Sequence, residues 1–127
     1  MSTLGFPSGP WTGYFTYLSI GRKHGMDLTL SFDGGRISGD GADAVGLFVI
    51  AGSYDDAGGE CQWTKTYVGA HDVFYRGFRE GKGIWGTWEI RDGWRGGFEI
   101  WPLGEADAEE LELEAEEPIG IGMGVLR

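Results

Sequence analysis

Side chains that could carry out catalysis are few in this chain, and they do not fall at catalytic spacings. The two histidines, His24 and His71, stand at a predicted turn and at a predicted strand start, without metal-ligand spacing to any carboxylate. Cys61, the one cysteine, would need an adjacent base to act as a nucleophile, and burial as a small hydrophobic residue is the simpler interpretation. Glu89 and Glu99 look like ordinary polar strand positions. We therefore expect no catalytic residue, no metal and no cofactor, and enzyme activity is the minority interpretation.

Binding chemistry is better represented, because large aromatic and polar side chains alternate between residues 60 and 90. A ligand pocket needs mostly apolar walls and a few convergent polar groups, and one predicted strand face offers both. We expect the ligand-binding residues to be Trp63, Lys65, Tyr67, His71, Tyr75, Trp85, Thr87 and Glu89. The alternative is that the aromatic side chains simply fill the interior, with Lys65 and Glu89 as an exposed cross-strand ion pair.

The membership of this face depends on the geometry of two turns. If a three-residue loop follows Tyr67, Trp63 lies opposite Tyr75. If a type I turn with a glycine bulge joins the next two strands, Arg76 lies opposite Ile84. Trp85, Thr87 and Glu89 then share the face of Trp63. A slip of one residue would move a whole strand to the opposite face.

The elements that must hold these side chains are short aromatic-rich segments separated by glycine turns. Trp, Tyr, Phe, Ile, Val and Thr favour strands, whereas Gly and Asp favour turns, so the repeated unit is a β-hairpin. Consecutive hairpins form an antiparallel meander, and closure into a barrel removes its exposed edges. The predicted strands are 11–20, 26–32, 36–39, 47–54, 60–67, 71–79, 83–90 and 96–102. The prediction is an all-β, up-and-down barrel of about eight strands, whose interior is filled by side chains or holds one small ligand.

The formal net charge of -10 is concentrated in one stretch of the chain. Eight of the 20 acidic residues fall within 105–117, which contains no lysine or arginine, so the rest of the chain is closer to neutral. Nucleic acid binding requires a basic surface to neutralise phosphates, and neither part supplies one. We expect a barrel domain over 1–104 and an acidic linker over 105–117, with no nucleic acid partner.

The C-terminal segment 118–127 has a different pattern, with four apolar residues that alternate with glycine. Such a row is expected to pair with a sheet edge, either in its own barrel or across a homodimer. The lone cysteine, the absence of a signal-peptide pattern near the N-terminus and the absence of ~20 consecutive apolar residues predict a soluble, cytoplasmic protein with no membrane partner.

The order of several short motifs between about residues 48 and 101 resembles the middle of avidin- and streptavidin-type barrels. These belong with the lipocalin-like and fatty-acid-binding-protein-like calycin architecture. The positions at which that family holds biotin do not correspond residue by residue here, so the resemblance implies the fold and no binding residue. The motifs are Gly-Ser-Tyr-Asp over 52–55, a Trp-centred strand, Ala70 and His71 after a short turn, an aromatic strand ending near Gly77, and Thr87-Trp88.

The predicted function is binding of a small, partly apolar or aromatic ligand. The alternative is a protein-protein interaction or assembly module that uses an exposed aromatic sheet face and the C-terminal strand. The direction of Trp63, Trp85, Trp88 and Trp101 distinguishes the two, because these side chains either surround a cavity or form an outward patch.

Overall fold

The computed structural model describes residues 5–17 and 21–104, which form eight β-strands and no helix. Each strand pairs antiparallel with the next, and β8 pairs with β1 to close the barrel. This confirms the predicted up-and-down barrel, and it is consistent at fold level with a calycin-like small barrel. The strands are β1 Gly9–Tyr17, β2 His24–Asp33, β3 Arg36–Asp43, β4 Leu47–Tyr54, β5 Glu60–Tyr67, β6 Asp72–Glu80, β7 Gly83–Glu89 and β8 Arg95–Pro102.

Strand β3 is longer than predicted, because two of its glycines continue the strand instead of ending it. A Cβ atom at Gly41 would overlap the Asp27 carbonyl oxygen and would come within 2.7 Å of the Phe48 ring. Glycine is therefore needed at this position for close approach of neighbouring strands rather than for a turn. As a result, Asp43 lies at the end of β3 and not in a loop.

The register between β5 and β6 agrees with the prediction, with Trp63 opposite Tyr75. The register between β6 and β7 does not, because Ile84 pairs with Arg79 instead of Arg76. The connecting turn is Gly81-Lys82, with Gly81 at a φ of 62°, a two-residue hairpin loop in place of a bulged turn. The observed register differs from the predicted one by three residues. Because three is an odd number, the side chains of β7 that were predicted to share a face with Trp63 point outward, and the others point inward.

One end of the barrel is closed by aromatic side chains. The Phe6 ring, from the segment before β1, stacks on Phe32 with 5.1 Å between ring centroids and meets Tyr54 edge-on at 5.1 Å. The Arg79 guanidinium carbon lies 4.5 Å from the centre of the Phe6 ring. These contacts plug the end at which β2, β4 and β6 finish, so the other end is left to form the mouth.

Two parts of the predicted organisation fall outside the described residues. They are the acidic linker over 105–117 and the apolar strand over 118–127, including the dimer contact expected of it. Within the described part of the chain, no helix is long and apolar enough to cross a membrane.

Candidate ligand-binding site

A cavity of about 380 Å³ occupies the mouth of the barrel, at the end opposite Phe6. Its walls come from the last residues of β1, β5 and β7, from the start of β6, and from the turns beside them. Aromatic and aliphatic side chains provide most of the surface. The lining residues are Phe15, Tyr17, Val45, Lys65, Tyr67, His71, Val73, Tyr75, Trp88, Ile90 and Trp94.

Four of the eight predicted site residues are buried in the barrel interior, and a fifth, His71, is exposed at the cavity mouth. Lys65, Tyr67, His71 and Tyr75 line the cavity, with His71 in the turn before β6 rather than in a strand. Trp63 is buried one step deeper, where it stacks on Tyr75 with 5.3 Å between ring centroids. Contact of each with a ligand stays a prediction, but the structure brings these five together.

The other three predicted residues lie on the outside of the barrel, so the prediction that they share a strand face with Trp63 was wrong, while their contact with a ligand stays a prediction. Trp85, Thr87 and Glu89 alternate with the buried residues of β7, and all three are exposed. The reversed face of β7 is the physical reason, because it turns Trp88 into the cavity in their place.

The predicted ion pair between Lys65 and Glu89 was also wrong. The Lys65 Nζ atom lies 2.8 Å from Asp43 Oδ2, and the two side chains are 1% and 0% exposed. The Asp43 carboxylate is fixed from its other oxygen as well, since Oδ1 accepts a hydrogen bond of 2.9 Å from the Val45 N–H. An ion pair in the barrel interior therefore replaces the expected surface pair.

Tyr67 completes a three-residue cluster around this carboxylate, which we call the buried polar cluster: Asp43, Lys65 and Tyr67. The Tyr67 hydroxyl donates to Asp43 Oδ2 at 2.7 Å. Burial raises the pKa of the Tyr67 hydroxyl, and its hydrogen bond to Asp43 raises it further. Burial lowers the pKa of the Lys65 ammonium, while the charge of Asp43 opposes that shift.

Four aromatic rings lie close to the Lys65 ammonium, which also lines the cavity. Its Nζ atom lies 4.7 Å from the ring centre of Phe48, 4.9 Å from those of Phe15 and Tyr67, and 5.1 Å from that of Tyr75. These distances are within the range of cation–π attraction, and the rings keep bulk water from the amine. The cavity floor is thus an amine held between one carboxylate and four rings.

The upper wall of the cavity is also aromatic. The Tyr17 ring meets Trp88 edge-on at 5.3 Å and Trp94 at 5.8 Å. The Trp88 indole N–H donates to the Thr16 carbonyl oxygen at 3.0 Å, which fixes the ring against β1. A flat apolar body is the shape that such walls accommodate.

Sequence reasoning missed Asp43, the buried partner of Lys65, and the cavity residues Trp88 and Trp94. One signal did indicate an acidic partner such as Asp43. Lys65 shares the buried face of β5 with Trp63 and Tyr67, and a lysine on a buried face requires an acidic partner. Nothing in the spacing identifies which acidic residue supplies it.

Metal chemistry has no candidate site in the described residues, where no group of three or more His, Cys, Asp or Glu side chains could hold an ion. Comparisons of the chain with protein-family models, with curated proteins and with solved structures find no match. The function must therefore be argued from the cavity itself.

Burial of Cys61 predicts a loss of stability at alkaline pH. Burial raises the pKa of its thiol from 9.0 to about 12, and its Sγ atom donates to the Gly77 carbonyl at 3.6 Å. Between these pH values the unfolded chain releases a proton that the folded chain keeps, so stability falls by up to about 1.4 kcal/mol per pH unit as pH rises. Urea unfolding of wild type and Cys61→Ser from about pH 8 to about pH 11 should show wild type losing stability relative to the variant.

Tyr67 and Tyr75 act in the same direction at higher pH and Lys65 acts in the opposite direction, but all three are present in both proteins. The difference between wild type and Cys61→Ser therefore isolates the thiol. A difference that stays constant across this pH range would contradict the prediction.

Proposed function

We propose that the protein binds a small, flat, partly apolar ligand in the cavity at the mouth of the barrel. The observation that carries this proposal is the cavity of about 380 Å³, with aromatic walls and the buried polar cluster at its floor. Small-molecule sites have this composition, with many apolar groups and a few fixed polar ones.

The asymmetry of the barrel supports the same function. Phe6 and its neighbours plug one end, whereas the opposite end keeps a space lined by exposed residues such as Trp94 and Val45. An eight-stranded barrel is either filled by side chains or holds one small ligand, and the space at the mouth supports the second. The sequence resemblance to avidin- and lipocalin-type barrels adds support at the level of architecture.

The four tryptophans divide between the two faces of the barrel wall, with Trp63 and Trp88 in the interior. Trp63 and Trp88 are 4% exposed, and Trp101 is 7% exposed and contacts Tyr14. Trp85 and Trp101 point outward: Trp85 is 47% exposed, whereas Trp101 alternates with Ile100 on β8 and is covered on the outer face by Tyr14. The ligand is expected to be neutral or weakly charged, because the charges of Lys65 and Asp43 offset each other at the cavity floor.

Tryptophan fluorescence provides the test. Naphthylmethanol, cinnamyl alcohol and naphthoate should each be titrated into the protein, and at least one should change the emission saturably and raise the melting temperature. Trp94→Phe removes an indole at the cavity mouth and should reduce the amplitude of the change. Trp85→Phe, which removes the outward indole of β7, is the matched control and should leave the amplitude unchanged.

A response that depends on Trp85 and not on Trp94 would place the compound on the outer face. The absence of both a fluorescence change and a thermal shift over a broad panel of such compounds would reject the cavity as a binding site.

A second candidate function, protein-protein interaction, is favoured by one specific observation on β6 and β7. Phe74, Phe78 and Trp85 are 40%, 43% and 47% exposed on the outer face, and the last two are in ring contact at 6.1 Å. Exposed aromatic groups of this kind occur at interaction surfaces. Chemical-shift changes confined to these three residues on concentrating the protein would indicate self-association through this face.

A further inference from the structure

We propose that the Lys65 amine forms a reversible imine with an aldehyde or ketone ligand held in the cavity. This inference rests on the proposed function, because it names the chemical class of the ligand that the cavity binds. It is carried by the position of the amine at the cavity floor, beside a single carboxylate and among aromatic rings.

The surroundings of the amine favour its reactive form. Lys65 lines the cavity while being only 1% exposed, and Asp43 is the one oxygen partner of Nζ within the described ranges. An ammonium has three donors, and here the Met26 sulfur at 3.9 Å is the other neighbour that accepts. Burial lowers the pKa of Lys65, and a desolvated lysine amine is the nucleophile that enzymes use to form Schiff bases.

The condensation balances without any oxidant or reductant. Asp43 accepts a proton from the Lys65 ammonium, and the neutral Nζ then adds to the carbonyl carbon as the C=O π electrons move to the oxygen. One proton passes from the nitrogen to that oxygen, which gives a carbinolamine. Asp43 returns the proton to the carbinolamine hydroxyl, the C–O bond breaks, and one water molecule leaves. The nitrogen lone pair forms the C=N bond, so the product is an iminium cation beside a carboxylate anion.

The charge state of the cluster is the same before and after this step. Asp43 pairs with an ammonium at the start and with an iminium at the end, and Tyr67 donates to the same carboxylate oxygen at 2.7 Å throughout. A buried unpaired charge would destabilise the protein, and neither state of the site contains one. Removal of Asp43 would abolish both the proton acceptor and the counter-ion.

The cavity also restricts the rest of the ligand. Tyr75 and Trp88 form opposite pairing positions on β6 and β7, and both line the space above the amine. A carbonyl compound with a flat aromatic or conjugated body would place its ring among these side chains and its carbonyl at Lys65. A small hydrophilic carbonyl compound would lack these contacts.

The experiment is reductive trapping of the full-length protein with naphthaldehyde and sodium cyanoborohydride, followed by mass spectrometry and peptide mapping. We expect one adduct, with a mass increase of one aldehyde less one oxygen atom, on Lys65. Lys23 and Lys82 are exposed, and they should react at least about tenfold more slowly, because they lie outside the cavity that holds the aldehyde and their solvated amines are protonated at neutral pH. The Lys65 ammonium instead has a buried carboxylate placed to take its proton. Naphthylmethanol, which lacks the carbonyl, should slow the trapping by competing for the cavity.

The Lys65→Arg variant should lose the adduct, whereas the Lys23→Arg and Lys82→Arg variants should retain it. If the Lys65 variant does not fold, peptide mapping of the wild-type protein still identifies the modified residue. If naphthylmethanol binds but naphthaldehyde labels Lys65 no faster than the exposed lysines, the imine proposal is overturned and the proposed function stands. If neither compound binds or reacts at the cavity, and the broad panel of compounds also gives no response, both are overturned.

Discussion

Replacing Asp43 by alanine should lower the free energy of unfolding by about 3–5 kcal/mol, because the Lys65 ammonium is left in the barrel interior without an anionic partner. The Tyr67 hydroxyl, which donates to the same carboxylate at 2.7 Å, loses its acceptor in the variant as well. Urea unfolding followed by far-ultraviolet circular dichroism measures the loss. Asp40→Ala is the matched control, since Asp40 is an exposed residue of the same strand, and it should change stability by no more than about 0.5 kcal/mol.

The double variant Asp43→Ala with Lys65→Met shows whether the pair, rather than either side chain alone, carries this effect. Methionine fills much of the space of lysine without a charge, so the double variant leaves neither charge unpaired. We expect it to be more stable than the sum of the two single losses predicts, by about 2 kcal/mol in a double-mutant cycle. Additive losses would contradict a coupled pair.

The pH dependence of Asp43→Ala provides a further check with a definite sign. Without the carboxylate, nothing opposes the lowering of the Lys65 pKa by burial, so the folded chain releases a proton that the unfolded chain keeps. Relative to wild type, the stability of the variant should therefore rise with pH towards the ordinary lysine value of 10.5, because the opposing contribution of Cys61 is the same in both proteins. A difference from wild type that stays constant or falls would show that Lys65 is charged and solvated in the variant.

The sequence contains enough information for the barrel itself. Alternating apolar residues and glycine turns predict all eight strands, and the bounds of β4 and β5 coincide with the prediction. Both strands have bulky, β-branched or aromatic residues and are followed by turns rich in small residues, so local preference and global fold agree.

The site is less predictable, for two physical reasons. The faces of β7 depend on whether the turn after Glu80 has two or three residues, and a change of this kind exchanges Trp88 with Trp85 as the inward residue. The partner of Lys65 comes from β3, which is not adjacent to β5, so no pairing rule between neighbouring strands could identify Asp43. Long-range contacts of side chains inside a barrel depend on its curvature, which the strand pattern does not encode.

Glycines within strands permit close approach of neighbouring chain segments, and Gly96, which was correctly predicted to lie in a strand, is the sharpest case. A Cβ atom there would overlap the Thr16 carbonyl oxygen and would lie 2.8 Å from the Trp88 indole nitrogen. These are the two partners of the hydrogen bond that fixes Trp88 to β1, and they lie where β8 meets β1 to close the barrel. A methyl group at Gly96 must therefore displace β1 or break that bond.

We expect Gly96→Ala to lower the free energy of unfolding by about 3 kcal/mol, at the upper end of overpacking costs, because backbone atoms and not a flexible side chain must move. Gly97→Ala is the matched control on the next residue. A Cβ atom at Gly97 finds its nearest atom at 3.6 Å, which is ordinary contact, and neither glycine has a left-handed φ. Gly97→Ala should be neutral or stabilising by up to about 1 kcal/mol, because alanine restricts the unfolded chain.

Thermal and urea unfolding of the two variants, compared with wild type, measure this difference, and naphthylmethanol titration reports on the cavity. Gly96→Ala should also weaken ligand binding, because Trp88 forms part of the cavity wall and loses its fixed position. If the two alanine variants have the same stability, the junction between β8 and β1 tolerates a side chain at position 96. The close packing of Trp88 against β1 then does not determine stability. If only Gly96→Ala is destabilised while naphthylmethanol binding is unchanged, the junction between β8 and β1 stabilises the barrel but does not position Trp88 for the ligand.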